Sequence, residues 1–339
     1  MAVVPMIEPR TPLADVRLEP AVVERLRCPV CRAGLEQIAS EFHCVDEACA
    51  TTFPIVDGVP VLLNESNSIF TTAELVESRR PELNRQAAAS RGRRLRRRIK
   101  RAIPSTSKNL NAAKNCATLA QLLVEQNDSP RLLVLGGGLE LGRGMDALAQ
   151  EPRIEIVESN VSFGPRTVLI CDAHDVPFED DSFDGVIVQA VLEHVADPYR
   201  CVEEIHRVLK PDGLVFAETP FMQQVHMGRY DFTRFTHLGH RRLFRNFAEV
   251  ESGPACGPGM ALAWSFQYFL VSFPRSRVLR SVLWNVGSAL AFPLKHLDPF
   301  LATRPGGYDA ASGYYFIGRK NDHALSDREL ISLYRGAIT

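Results

Sequence analysis

Four cysteines near the N-terminus have the spacing of a metal site. Cys28 and Cys31 are separated by two residues, and Cys44 and Cys49 follow a short distance along the chain. Two thiolates on a tight turn supply half of a tetrahedral zinc site, and a second pair can complete it. His43 is an alternative ligand, and two unrelated pairs of buried thiols are the structural alternative. The spacing predicts one structural zinc ion held by the four cysteines.

Side chains that can move protons or bind oxygen cluster between residues 220 and 247. Our candidates for catalysis there are His226, Tyr230, Asp231 and Arg234, and His194 lies upstream in the sequence LEHV. A general base is useful when the acceptor of a transferred group is a hydroxyl. We take His226 as the first choice and His194 as the second. The alternatives are packing or surface roles for the histidines and a structural ion pair between Asp231 and Arg234.

A glycine-rich turn follows a continuous apolar segment. Residues 131–138 read RLLVLGGG, which predicts a buried strand running into a turn formed by Gly136, Gly137 and Gly138. Such a turn allows a ligand to approach the backbone closely. The third glycine of a dinucleotide-binding fingerprint is replaced by Leu141, so the turn alone does not identify the ligand.

The elements around these residues divide the chain into three parts. Residues 1–66 predict a small β-rich ribbon with a hairpin turn at Asp57-Gly58, too small to be stable without its metal. Residues 67–118 form a basic linker. From residue 119 to 339, helices alternate with apolar strands, as in a parallel α/β sheet. A helical insertion interrupts this domain at about residues 254–303.

The linker and the insertion each have more than one interpretation. Eight of the eleven residues in 91–101 are basic, which fits an RNA contact, an anionic membrane surface or a solvated helix. The two apolar helices predicted on either side of Pro274 fit extra packing, a homodimer face, or a lid over a large or lipid-linked acceptor.

The composition is that of an ordinary globular protein. Lys and Arg total 39 against 40 Asp and Glu, and 45% of the residues are hydrophobic. These values exclude a disordered chain, a collagen-like fibre and a wholly basic nucleic-acid coat. The longest apolar stretch, residues 261–273, is too short to cross a membrane, and the N-terminus lacks the pattern of a secretory signal. We therefore expect a cytoplasmic protein with reduced thiols.

Several motifs occur in the order that is typical of one family. The third strand is followed by Asp172-Ala173 and then by residues 176–178 (VPF), the fourth begins with DSFD and is followed by LEHV, and the fifth is entered through VLKPDG. Over residues 121–220 the chain resembles class I S-adenosylmethionine (SAM)-dependent methyltransferases of the type-11 group. The first 66 residues resemble the zinc-ribbon module of methyltransferase activators. The resemblance implies an α/β fold with a mostly parallel, seven-stranded Rossmann-like sheet.

The resemblance also implies where SAM would bind. Gly136, Gly137 and Gly138 would line the methionine end, with Gln189 at the end of the fourth strand also contacting the cofactor. The other residues implied are Glu158 at the ribose, Asp172 at the adenine amino group and Ala173 at the purine ring. A carboxylate can accept both ribose hydroxyls, and an exocyclic amine needs an acceptor.

One position departs from the family pattern. Val134 stands where the family usually has an acidic residue, two places before the first glycine. Its absence could weaken cofactor binding, transfer the role to Glu140, or mark a domain that no longer methylates.

The function predicted from these features is SAM-dependent methylation of a small-molecule or saccharide acceptor, including a lipid-linked glycan, at an oxygen atom. Residues 221–240 and 260–303 are expected to form the walls of the acceptor pocket. One alternative is an RNA methyltransferase, although residues 189–192 (QAVL) lack the tetrad used for base amino groups. A second alternative is a non-catalytic partner protein. Peripheral membrane contact and homodimerisation remain open.

Overall fold

The computed structural model describes residues 13–78, 105–138 and 140–337. A short helix, α1 (Pro20–Val23), precedes a four-stranded antiparallel sheet. Its strands are β1 (Leu35–Ile38), β2 (Glu41–Cys44), β3 (Thr52–Val56) and β4 (Val59–Pro60). Asp57 and Gly58 join β3 to β4 with positive φ angles of 49° and 78°, which a two-residue type I′ hairpin requires. The predicted hairpin is therefore confirmed.

The rest of the chain forms a seven-stranded sheet. Its strands are β5 (Arg131–Leu135), β6 (Glu155–Asn160), β7 (Leu169–Ile170), β8 (Phe183–Gln189), β9 (Leu209–Pro220), β10 (Phe247–Cys256) and β11 (Gly313–Lys320). Their spatial order is β10-β11-β9-β8-β5-β6-β7. Strands β5 to β9 pair in parallel, and β11 is antiparallel to both of its neighbours. This order confirms the predicted class I sheet.

Helices follow most of the strands, and several of them form the insertion between β10 and β11. They are α2 (Ala112–Gln126), α3 (Asp146–Gln150), α4 (Pro198–Val208), α5 (His237–Leu243), α6 (Pro258–Ser272), α7 (Arg277–Ala291), α8 (Asp298–Leu301), α9 (Pro305–Asp309) and α10 (Asp327–Ser332). Helix α4 shows how sequence specifies such an element. Asp197 caps its first turn by accepting hydrogen bonds from the backbone N–H groups of Tyr199 and Arg200, and Pro198 occupies the first helical position.

The ribbon and the large sheet share one hydrophobic core. Leu26 of the ribbon forms a β-bridge with Phe178, and Val61 pairs in parallel with Ile170 at the outer edge of β7. Phe42 is 1% exposed and belongs to the same buried cluster as the side chains of β8. The ribbon therefore covers a sheet edge that would otherwise expose unpaired backbone groups.

Some predicted boundaries differ from the structure. The insertion predicted from residue 254 begins after Cys256, because β10 uses residues up to that point to pair with β11, and its helices continue to Asp309. Helix α2 begins at Ala112, inside the predicted linker. The basic run at 91–101 lies outside the described residues. No described helix has the length and apolar character needed to cross a membrane.

Candidate active site and metal centre

The four cysteines of the ribbon converge. Their Sγ atoms all lie within 4.8 Å of one another, with 3.8 Å between Cys28 and Cys49 and 3.4 Å between Cys31 and Cys44. Tetrahedral zinc with Zn–S bonds of about 2.3 Å separates its sulfur ligands by about 3.8 Å. Four thiols at these distances fit a zinc ion. His43 is outside the group and instead faces Glu41.

The glycine turn that follows β5 has backbone angles that residues other than glycine adopt only with strain. Gly136 and Gly138 have φ angles of 78° and 101°, and a Cβ atom would collide with Val191 at the first and with Thr167 at the second. A Cβ at Gly137 would lie 3.1 Å from Oε2 of Glu158. Protein side chains therefore pack closely against the turn, which requires glycine at these positions.

Glu158 is buried at this turn, and one of its two carboxylate oxygens is already bonded. It is 4% exposed, and Oε1 accepts a hydrogen bond of 2.6 Å from Nε of Arg166. Oε2 is the atom that faces Gly137. Glu158 is thus held beside the glycine turn with one carboxylate oxygen bonded to Arg166, and its contact with a ribose stays a prediction.

Asp172 and Ala173 follow β7, and both are buried beneath the ribbon. The Oγ atom of Ser68 donates to Oδ2 of Asp172 at 2.5 Å, and Nδ1 of His174 lies 2.6 Å from Oδ1. Burial opposes ionisation of Asp172, but the hydrogen bonds from His174 and Ser68 outweigh it and lower its pKa. A bound adenine would have to share Oδ2 with the Ser68 hydroxyl.

A cavity of about 430 Å³ opens at the carboxyl ends of β8 and β9. This is the edge of a parallel sheet at which ligands usually bind. The loop after the glycine turn contributes Arg143, and the end of β8 contributes Gln189. Loop 221–234 contributes His226, and helix α6 contributes Trp264. Parts of both segments expected to wall the acceptor pocket therefore line this cavity.

His226 is held by the ion pair of Asp231 and Arg234. Nη2 of Arg234 donates to Oδ2 of Asp231 at 2.8 Å, while its Nη1 contacts Oδ1. These hydrogen bonds lower the pKa of Asp231 far below its usual value. Oδ2 also accepts from the backbone N–H of His226 at 2.8 Å and lies 3.4 Å from its Nδ1. Of the two interpretations proposed for Asp231 and Arg234, the structural ion pair is the one observed.

Glu193 connects the two histidines. Its Oε1 lies 3.6 Å from Nε2 of His194 and 3.9 Å from Nε2 of His226. The side chain is 1% exposed, and among the described residues its Oε2 has no hydrogen-bond partner. Burial raises the pKa of Glu193 to about 7. This geometry does not place His194 in contact with the acceptor. Its Nδ1 faces the carbonyl oxygen of Tyr230, and it does not line the cavity.

Tyr230 is placed differently from the sequence-based expectation. Its hydroxyl accepts a hydrogen bond of 2.6 Å from Arg229, and its ring lies 5.6 Å from that of Phe70. It does not line the cavity. The structure therefore does not bring this hydroxyl into the cavity, and its action at the acceptor stays a prediction.

Two carboxylates in the cavity were missed by reasoning from the sequence. Glu193 belongs to the LEHV motif, but we considered only the histidine beside it. Glu218 lies in β9 and accepts hydrogen bonds from Asn109 at 3.0 Å and from Gln189 at 2.7 Å. Burial raises the pKa of Glu218. Both could have been found from the sequence as acidic residues that lie within, or a few positions after, an apolar strand segment.

Comparison with known proteins agrees with this geometry. A family profile described as a methyltransferase domain matches residues 138–217. A demethylmenaquinone methyltransferase of Clavibacter sepedonicus is 40% identical over 98 residues, which are 28% of this chain and 34% of that protein. An uncharacterized methyltransferase of Mycobacterium tuberculosis is 37% identical over 90 residues, covering 24% and 37%. The chain thus spans about a third of the length of these relatives.

Among solved structures, a putative sarcosine dimethylglycine methyltransferase from Galdieria sulphuraria aligns at 15% identity with a TM-score of 0.41. The alignment covers 64% of this chain and 93% of that one. The sheet order, the motifs at the strand ends and the family profile lead to the same assignment. The chain contains a class I methyltransferase domain.

Proposed function

We propose that this protein is a SAM-dependent methyltransferase that methylates an oxygen of a small-molecule or saccharide acceptor. The observation that carries the proposal is the cavity lined by the loop that follows the glycine turn, in which His226 and the buried Glu193 lie together. The glycine turn, Glu158 and Asp172 are the residues that would hold the cofactor, and their donor and acceptor types fit a nucleoside with a ribose diol.

The side chains of the cavity can take up the proton that the acceptor loses. When bound, SAM supplies a methyl group on a sulfonium centre, so the acceptor oxygen gains a methyl group and releases its proton. Asp231 and the carbonyl oxygen of Gln224 each lie 3.4 Å from Nδ1 of His226. These two acceptors outnumber the one donor near Nδ1, Nη2 of Arg234 at 3.5 Å, and they favour the tautomer with the proton on Nδ1, which leaves Nε2 free to accept.

Glu193 would stabilise the protonated form of His226. Because its Oε1 is 3.9 Å from Nε2 of His226, it stabilises the imidazolium that forms when His226 accepts a proton. Most of the remaining catalytic effect would come from positioning the acceptor, for which the cavity walls provide polar side chains and the indole of Trp264.

A carbon acceptor is the second candidate, supported by the relative that is named a demethylmenaquinone methyltransferase. The same base would remove the proton of a ring hydroxyl and thereby make the ring carbon nucleophilic. RNA remains the alternative that the basic run at 91–101 suggests.

The test is methyl transfer from SAM carrying a carbon-13 methyl group to three acceptor pools: a glycan extract, total RNA and a demethylated quinone in its reduced, hydroquinone form. The chemical shift of the product methyl separates oxygen, carbon and nitrogen acceptors. An oxygen-methylated glycan or small molecule, with the rate lost in His226→Asn, supports the proposal. Labelling of RNA alone would overturn the acceptor class, and binding of the cofactor product without any transfer would favour the non-catalytic alternative.

A further inference from the structure

The insertion exposes an apolar surface. Helices α6 and α7 form a hairpin whose exposed residues include Leu262, Phe269 and Phe273 on the first helix and Val278, Val282 and Val286 on the second. Phe273 is 68% exposed and Val278 is 75% exposed, on either side of the turn that joins the helices. Exposed apolar patches of this kind mark interaction surfaces.

The two helices present their apolar stripes on the same side. Spacings of seven and four residues on α6, and of four residues on α7, keep each set on one helical face. Gly287 faces Gln267 and Leu270 where the two antiparallel helices meet. Around each helix axis, the apolar stripe is displaced from that contact in the same rotational sense. Because the two helices are antiparallel, both stripes therefore face the same side of the hairpin. The opposite side carries polar side chains, and there Ser281 and Asn285 line a separate cavity together with Arg277, Arg280 and two tryptophans.

The charge of the hairpin indicates the kind of partner. Residues 258–297 contain no Asp or Glu, although the chain as a whole has 40 acidic residues. The basic residues of this segment include Arg275, Arg277 and Arg280, which are exposed around the tip of the hairpin. An apolar stripe that is free of acidic residues and has arginines beside it suits the headgroup region of an anionic bilayer better than a protein surface of mixed charge.

The length of the helices excludes a spanning arrangement. Each has 15 residues and is about 22 Å long, whereas the hydrocarbon core is about 30 Å thick. We propose that the hairpin lies on an anionic lipid bilayer and inserts Phe273 and Val278 below the headgroups. Helix α6 also carries Trp264, which lines the candidate acceptor cavity, so the same helix would connect the bilayer surface to that cavity.

The experiment is flotation of the full chain with vesicles of phosphatidylcholine alone or mixed with phosphatidylglycerol. We expect flotation with the mixed vesicles and weaker binding to phosphatidylcholine alone. The double variant Phe273→Gln/Val278→Gln should lose about tenfold or more in affinity, because it removes two inserting apolar side chains without changing the charge. The matched control Ser281→Gln/Asn285→Gln alters the polar side of the same hairpin and should bind as the wild type does.

Binding requires no methyl transfer, so its outcome is independent of the proposed function. Circular dichroism verifies that both double variants are folded. Absence of flotation with either vesicle, or equal flotation of the two double variants, would overturn the proposal. A wild-type dimer in solution that Phe273→Gln/Val278→Gln dissociates, without vesicle binding, would show that a second copy covers this surface instead.

Discussion

The side chains of Glu193 and His226 approach each other to 3.9 Å, between Oε1 and Nε2, on one wall of the cavity at the carboxyl end of the sheet. The first comes from the turn that follows β8, and the second comes from the loop after β9. The backbone joins them as well, since the carbonyl oxygen of Glu193 accepts a hydrogen bond of 2.8 Å from the N–H of Phe232. The loop that carries the histidine is therefore fixed to the residue that carries the carboxylate.

Burial of Glu193 should give the reaction a pH dependence. Only the ionised carboxylate stabilises a protonated His226, and burial raises the pKa of Glu193 to about 7. We expect kcat of the wild type to rise with pH through about 7. Glu193→Gln should lower kcat by about 100-fold and remove the Glu193 inflection. The measurement is a kcat profile from pH 5.5 to 9 at saturating SAM, and an unchanged inflection in the variant would assign the titration to another group.

The same substitution should stabilise the fold at high pH. The pKa of Glu193 is about 7 when folded, against 4.5 for an ordinary glutamate, so the unfolded chain releases its proton first as the pH rises. Stability is then lost between about pH 4.5 and 7, by about 3 kcal/mol. Denaturant unfolding should show Glu193→Gln equal to wild type at pH 4.5 and more stable at pH 8. A variant that is less stable at pH 8 would mean that the carboxylate has a partner.

The positions of Tyr230 and His226 predict opposite results for two nearby substitutions. Tyr230→Phe should change kcat less than about twofold, because its hydroxyl is bonded to Arg229 and lies outside the cavity. His226→Asn should lower kcat by about 100-fold with little change in the affinity for the cofactor product. Steady-state kinetics of the two variants measure both changes in kcat. A large loss in Tyr230→Phe would indicate that the loop rearranges when the acceptor binds.

The sequence was most informative where one physical constraint acts on neighbouring residues. Continuous apolar strands such as β5 must be buried on both faces, and Asp57-Gly58 can adopt the positive φ angles of a tight hairpin. Cysteines at metal-ligand spacing had to converge. These features are local, and the structure contains all of them.

What the sequence left undetermined depends on contacts between distant residues. Strand β10 carries the polar residues Glu249, Glu251 and Ser252 near the edge of the sheet, so its pattern did not resemble a buried strand. The contact between Ser68 and Asp172 joins residues 104 positions apart, and no local pattern indicates it. Glu193 was overlooked because its burial is decided by the packing of loop 221–234.

Removal of the metal should affect the whole protein. Purified protein should contain one zinc per chain, and Cys28→Ser should lose it. Since Leu26 and Phe42 pack in the same core as the large sheet, the loss should lower the melting temperature of the entire chain in a single transition. Cys116→Ser is the matched control, because that thiol is buried far from the ribbon cluster. Elemental analysis and calorimetry measure both effects, and an unchanged melting temperature without zinc would contradict a structural role.

The last prediction concerns the adenine end of the cofactor site. Oδ2 of Asp172 accepts from Ser68 at 2.5 Å, so the serine occupies an acceptor that an adenine amine would use. Ser68→Ala should therefore leave the affinity for S-adenosylhomocysteine unchanged or increase it. Asp172→Asn should weaken it about tenfold, because a hydrogen bond to a charged group contributes about 1.5–3 kcal/mol. Isothermal calorimetry measures both affinities.

A second serine of the same segment supplies the control for this comparison. The hydroxyl of Ser66 donates to Oδ1 of Asn64 at 2.6 Å and does not contact Asp172, so Ser66→Ala reports any general loosening of the segment. If Ser68→Ala and Asp172→Asn weakened binding equally while Ser66→Ala did not, the two side chains would act as one structural unit. The adenine would then be recognised elsewhere. A loss in Asp172→Asn together with a gain in Ser68→Ala would show that the Ser68 hydroxyl masks an acceptor that the cofactor uses.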